Sequence, residues 1–223
     1  SVEQGIDEPK QNVPYQPIHQ TVTVPAEPVC DKDGDVVIVA DLEEDDVQLQ
    51  RMVARFRKQF PRKTRVINIR EYPFRGGCLG CFRCAVSGKC VHKDGFDDYL
   101  RNEIQTAESI IYAFTIRDHS MGARFKMYDD RQFCNGHRTV TIGMPVGYLI
   151  SGGYSVEQNL QTVVEARAQV GSNFLAGVAT DETDPDLAID QLAGIMERRD
   201  AAEKQYKEDG KRPVIQHTNK GGA

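Results

Sequence analysis

The chain has 223 residues, 39% of them hydrophobic and 27% charged, with a formal net charge of −5. That length suits one core of about 170–180 residues with polar ends. It contains no apolar run of about 18 residues that could cross a bilayer as a helix. The acidic balance excludes nucleic acid as the expected partner, because phosphate contacts need a basic face. No basic segment followed by an apolar run opens the sequence SVEQGIDEPK, so the expected location is cytoplasmic.

Residues 1–33 carry Pro9, Pro14, Pro17, Pro25 and Pro28 among polar residues. Such a stretch forms no helix and offers little surface for a core, so it reads as an extended or disordered arm. The domain proper is expected over 34–206, and 207–223 reads as a polar tail.

A regular alternation begins at DVVIVA (35–40), a β-branched run of the kind that forms a buried parallel strand. Leu49, Met52, Val53, Phe56 and Phe60 then fall on one helical face within 43–60, and Pro61 stops that helix. RVINI (65–69) is the second strand, and 96–107 the next helix. SIIYAFTI (109–116) is the third strand, followed by a helix over 120–134. A fourth strand occupies the second half of 140–151, followed by a helix over 155–169. NFLAGVAT (173–180) is the fifth strand and 186–206 the last helix. Strands alternating with helices predict an α/β, doubly wound, five-stranded parallel sheet. Its expected strand order is the flavodoxin-like 2-1-3-4-5, with ligands beyond the carboxyl ends of strands one and three.

Four of the six cysteines lie in GGCLGCFRCAVSGKC: Cys78, Cys81, Cys84 and Cys90. The spacing Cys-x2-Cys-x2-Cys-x5-Cys lets three thiolates wrap one side of a small inorganic cluster and a fourth close it. Nearby glycines let backbone N–H groups approach sulfur. A 4Fe–4S cluster fits this run best. Zinc sites use two separated pairs more often, and Cys78 with Cys81 could also cycle as a bare dithiol. His92 is a neighbouring alternative ligand, and Cys134 with His137 a weaker Cys–His pair. Cys30 reads as incidental. Coming after strand two, the cysteine run is expected near the carboxyl edge of the sheet.

CLGCFRC…GKC, then KDGFDDYLRNEI, an apolar strand and SMGARFKMYDDRQF resemble the iron–sulfur flavoproteins and their NAD(P)H-dependent FMN-reductase relatives. The matching positions include Asp97 and Asp98, then Lys126, Asp130 and Arg131, and the resemblance spans roughly residues 35–182. It implies FMN at the carboxyl edge, often a 4Fe–4S cluster, NAD(P)H as donor, a redox partner protein and dimers or tetramers. The loops that would hold FMN open at Asp41 after strand one. They continue with Thr115, Ile116, Arg117, Asp118, Ser120 and Met121 after strand three, and Ser151, Gly152, Gly153 and Tyr154 after strand four. His119 is the candidate for proton transfer. Lys126 and Asp130 read as a surface ion pair, and Arg131 as orienting its helix.

One departure stands out. Where relatives place Ser, Thr, Arg or Gly around the phosphate, this chain has ADLEEDDVQLQ. Glu43, Glu44, Asp45 and Asp46 could simply cap a helix, but like charge disfavours a phosphate. FMN then binds differently, uses Arg117 or a partner subunit, or has been lost. The function readings are therefore an FMN and iron–sulfur electron-transfer protein, an NAD(P)H-dependent flavin or quinone reductase with bare thiols, and a flavin-less assembly subunit.

Overall fold

The computed structural model describes residues 19–136 and 140–209. Five strands form one parallel sheet: β1 (Lys32–Ala40), β2 (Arg62–Asn68), β3 (Ser109–Thr115), β4 (Pro145–Ser151) and β5 (Phe174–Thr180). Their spatial order is β2-β1-β3-β4-β5, as expected from the strand–helix alternation. Helices cover both faces, so the second half of β1 buries every side chain: Val36–Ala40 are all 0% exposed.

The pleat divides the strands between two cores. Val37, Val39, Ile110, Tyr112, Phe114, Tyr148 and Ile150 face one side. They pack there against α4 (Gly122–Arg131) and α6 (Gln158–Val170). Val36, Ile38, Ala40, Ile111, Ala113 and Leu149 face the other, against α1 (Val47–Gln59) and α7 (Pro185–Asp209). α1 buries Leu49, Met52, Val53 and Phe56 on one stripe and α7 buries Ile189, Leu192, Ala193 and Met196, the helical period expected of core-facing helices. Gly147 of β4 permits this contact. A Cβ there would meet Ile111 at 2.8 Å and Leu192 at 3.0 Å.

Residues 1–18 and the end of the tail, 210–223, lie outside the described residues, as does His137. The described part of the arm is fastened. Val22 is fully buried beside α1, Arg51 Nη1 donates to its carbonyl at 3.3 Å, and Gln20 N donates to Asp181 O at 2.8 Å. Arg55 Nη1 donates to Thr23 O at 2.7 Å while its guanidinium pairs with Asp190.

The link from β2 to β3 departs from a simple crossover helix. It holds a 3-10 turn at Ile69–Glu71, then α2 (Arg83–Ser87) and α3 (Phe96–Tyr99), which runs on as a π turn over Leu100–Ile104. The helix expected over 120–134 ends at Arg131, and a separate turn, α5 (Phe133–Gly136), follows.

Candidate functional site

At the carboxyl edge, the loops after β3 and β4 part around an open cleft of about 710 Å³. Thr115, Ile116, Asp118, His119, Ser151, Gly152 and Gly153 line it, seven of the residues picked out from the sequence. Gly152 makes the close approach possible: its φ is +120°, and a Cβ would lie 2.9 Å from Ile116. Arg117 and Ser120 exchange both backbone hydrogen bonds, at 2.9 and 3.0 Å, closing a tight turn. Asp118 and His119 form its tip with φ of +50° and +58°. Aspartate and histidine tolerate this left-handed region better than most residues.

His119 is 88% exposed and its Nδ1 lies 2.8 Å from Glu157 Oε1. The hydrogen bond His119 donates to Glu157, then the charge of that carboxylate, pushes the His119 pKa up. The opposite rim comes from groups the sequence did not single out. Asp181, fully buried, accepts from Ser151 Oγ at 2.8 Å and Gly152 N at 2.9 Å, and lies 3.0 Å from His19 Nδ1. It thereby ties the arm to the cleft.

Arg117, Ser120, Met121, Tyr154 and Asp41 do not line the cleft among the described residues. Met121 is in the core. Tyr154 packs against the core, and burial pushes its hydroxyl up to about 12. Asp41 is 5% exposed with Oδ1 2.6 Å from Arg70 Nε. Burial raises its pKa against the pull of Arg70.

The acidic loop does more than cap α1. Asp46 occupies the N-cap position but makes no side-chain cap bond. Its Oδ2 accepts from Thr115 Oγ1 at 2.6 Å and lies 3.5 Å from Arg117 Nη2. Glu43 pairs with Arg117 at 2.9 Å and also with Arg70. The amides of Asp46 and Val47 are taken by the carbonyls of Glu43 and Asp45. In doubly wound folds the start of this helix is where a phosphate docks. Here the cations beside it are committed, and five carboxylates from Asp41 to Asp46 outnumber two arginines. A helix terminus contributes about 0.3–2 kcal/mol to an anion. One like charge at 4 Å costs about 4 kcal/mol at an effective dielectric of 20. Repulsion wins, and the residues present do not fit an FMN phosphate in this seat.

The cysteine segment lies elsewhere. α4 starts beside the cleft at Gly122 and runs ten residues, about 15 Å, to Arg131. Cys84 Sγ lies 3.9 Å from Phe133 O, beyond that far end, and Cys84 and Cys90 pack with buried Cys134. For Cys84 the expectation of a thiol beside the cleft is therefore corrected: the crossover carries it past the far end of α4. Burial pushes the Cys84 thiol up, and pushes Cys134 up to about 12, with Cys90 and Asp97 adding to the latter.

Both ends of this segment are clamped. Arg131, 1% exposed, donates to Gly76 O at 3.0 Å and grips Asp94 through two bonds at 2.9 and 2.8 Å. That pair holds the Asp94 carboxyl well below its usual range. His92 Nε2 lies 2.9 Å from Gly77 O, Asp97 Oδ2 accepts from Cys90 N at 3.2 Å, and Arg101 donates to Gly88 O at 3.2 Å. His92 thus acts as a strut. Between the clamps, Cys78 and Cys81 are exposed, and Gly80 N donates to Cys78 Sγ at 3.4 Å. No three His, Cys, Asp or Glu side chains converge on a metal-binding point among the described residues. Residues 75–93 carry Arg75, Arg83, Lys89 and Lys93 and no carboxylate. The Lys126–Asp130 pair is at the surface, as the spacing predicted.

Solved structures with this architecture are numerous. RosB with bound 8-demethyl-8-formylriboflavin-5'-phosphate superposes with a TM-score of 0.59 at 10% identity, over 80% of this chain and 82% of that one. An oxidoreductase from Corynebacterium diphtheriae gives 0.53 at 12% identity, over 75% of this chain and 97% of that one. The fold is flavodoxin-like. An NAD(P)H:quinone oxidoreductase from Methanothermobacter marburgensis gives 0.51 at 13% identity, over 79% of this chain and 98% of that one. No family model and no curated protein matches the chain.

Proposed function

We propose that this flavodoxin-like chain is an electron-transfer oxidoreductase in which a flavin ring occupies the carboxyl-edge cleft and Cys78, Cys81, Cys84 and Cys90 hold a 4Fe–4S cluster. The observation that carries the reading is the clamped cysteine segment. A buried ion pair and several hydrogen bonds fix both of its ends while two thiols face outward. The N–H donated to Cys78 Sγ suits thiolate ligation, since such bonds tune cluster potentials. When bound, a cluster supplies single electrons and a flavin accepts one or two. The flavin phosphate in RosB and the NAD(P)H named for the archaeal quinone oxidoreductase support a flavin ring and a nicotinamide donor here.

A homo-oligomer is part of the same reading. Within one chain the cysteine segment and the cleft are separated along α4. The basic segment complements the acidic cleft of a second copy, which favours a homo-oligomer that brings the two together.

The test is protein purified without oxygen, assayed for iron, sulfide and its absorption spectrum. About four irons and four sulfides per chain are expected, and Cys81→Ala should lose them. Iron-free protein from a reconstitution with ferrous iron and sulfide would sink the cluster. A second reading, a Cys78–Cys81 dithiol, is favoured by the exposure of both thiols and the absence of convergent ligands among the described residues. It predicts iron-free protein in which a mild oxidant links those two cysteines.

A further inference from the structure

The loop after β1 and the cleft beside it disagree about a phosphate, and the disagreement has a chemical meaning. We infer that the cleft selects a flavin ring without its phosphate, riboflavin over FMN, because Glu43 and Asp46 occupy the phosphate's place in an ion-pair network with Arg70 and Arg117. This rests on the flavin reading above and narrows it.

Three observations converge. Arg117, a cation beside the seat, already pairs with Glu43 at 2.9 Å and Asp46 at 3.5 Å. Thr115 Oγ1, a hydroxyl that could serve a phosphate oxygen, instead donates to Asp46 at 2.6 Å. The cleft offers no substitute: its described lining contains Asp118, Glu157 and Asp181, and no lysine or arginine. His119 and His19 stand there, each already beside a carboxylate.

The same lining suits the rest of the ligand. Ile116, packed tightly against Gly152, gives the cleft an apolar surface on which a ring can lie. Gln20, Thr21 and Gln48 supply uncharged polar groups at the mouth, appropriate to a polyhydroxyl chain. A dianion moved into this field meets net negative charge from both loops, whereas a neutral ring meets none of that cost.

The experiment is equilibrium titration of the full chain with riboflavin and with FMN, read by quenching of flavin fluorescence. Riboflavin should bind at least about tenfold more tightly, and FMN binding should strengthen with added salt while riboflavin binding stays level, because salt screens the repulsion. The double variant Glu43→Gln/Asp46→Asn should narrow the riboflavin preference by about tenfold or more. Glu43→Gln alone should narrow it partway and keeps the test open if the double variant unfolds. FMN binding as tightly as riboflavin in the wild type overturns this inference and leaves the flavin reading standing. Failure of both flavins to bind overturns the flavin reading as well.

Discussion

Two regions of this molecule are held by arginine–carboxylate pairs, and they teach opposite lessons. Around the cysteine segment, Arg131 and Asp94 are 1% and 2% exposed at their side chains. Around the loop after β1, Arg117 and Glu43 are 40% and 27% exposed at their side chains. A buried pair that loses one partner strands a charge in a poor solvent, so it behaves as a structural rivet. A half-exposed pair contributes little stability, because water and salt compete for it, and its main effect is on the local potential. The same chemistry fastens one region and sets the electrical character of the other.

The sharpest way to break that contrast is Arg131→Ala, which should cost about 3–5 kcal/mol by leaving Asp94 buried and unpaired. Chemical denaturation measures this. A loss below about 1 kcal/mol would show that the clamp is dispensable. Because the folded pKa of Asp94 lies below its unfolded value, its stabilisation is full above about pH 4 and fades as the pH falls below that. Asp200 provides the reverse case. It is 3% exposed, accepts from Ser109 Oγ at 3.2 Å, and burial pushes its pKa up to about 6. The folded state therefore holds the proton more tightly, and stability falls as the pH rises from about 4 to 6. Asp200→Asn should gain about 2–3 kcal/mol at pH 7.5 and nothing near pH 3.5. Unfolding midpoints at the two pH values check the sign.

Smaller effects belong to the cleft. Gly152→Ala should cost roughly 1–3 kcal/mol, since φ of +120° strains any side chain. It should also weaken riboflavin quenching, because the new methyl meets Ile116. Arg117→Gln, at the exposed end of the comparison, should change stability by less than about 1 kcal/mol. Because it removes positive charge beside Glu43 and Asp46, it should weaken FMN further. Improved FMN binding in that variant would contradict the assigned charge balance.

The sheet was legible because its central strands are buried on both faces. DVVIVA and SIIYAFTI read as continuous β-branched and apolar runs, and their alternation with helices leads to the order observed. The cleft loops were legible because strand order alone places Thr115, Ile116 and Ser151–Gly153 at a switch point. What escaped depends on contacts between distant residues. Nothing local marks Asp181 as the anchor of His19, 162 positions away, or Asp94 as the partner of Arg131. Asp46 had the look of a helix cap, and only the fold brings Thr115 to it. The cysteines were recognised as a unit by spacing, but spacing carries no information on which way a long crossover turns. The packing of Cys134 beside Cys84 and Cys90 follows from that turn.

The clamp around the cysteine segment has an engineering consequence. Its fastenings grip Gly76, Gly77, Gly88 and Cys90, largely through backbone atoms. Leu79 and Val86, inside them, are 67% and 91% exposed and contribute little to either core. The bracket is thus indifferent to much of what it brackets. Evolution or design can exchange the outward residues around the thiols, and with them the surface shown to a partner, while the sheet beneath keeps its stability.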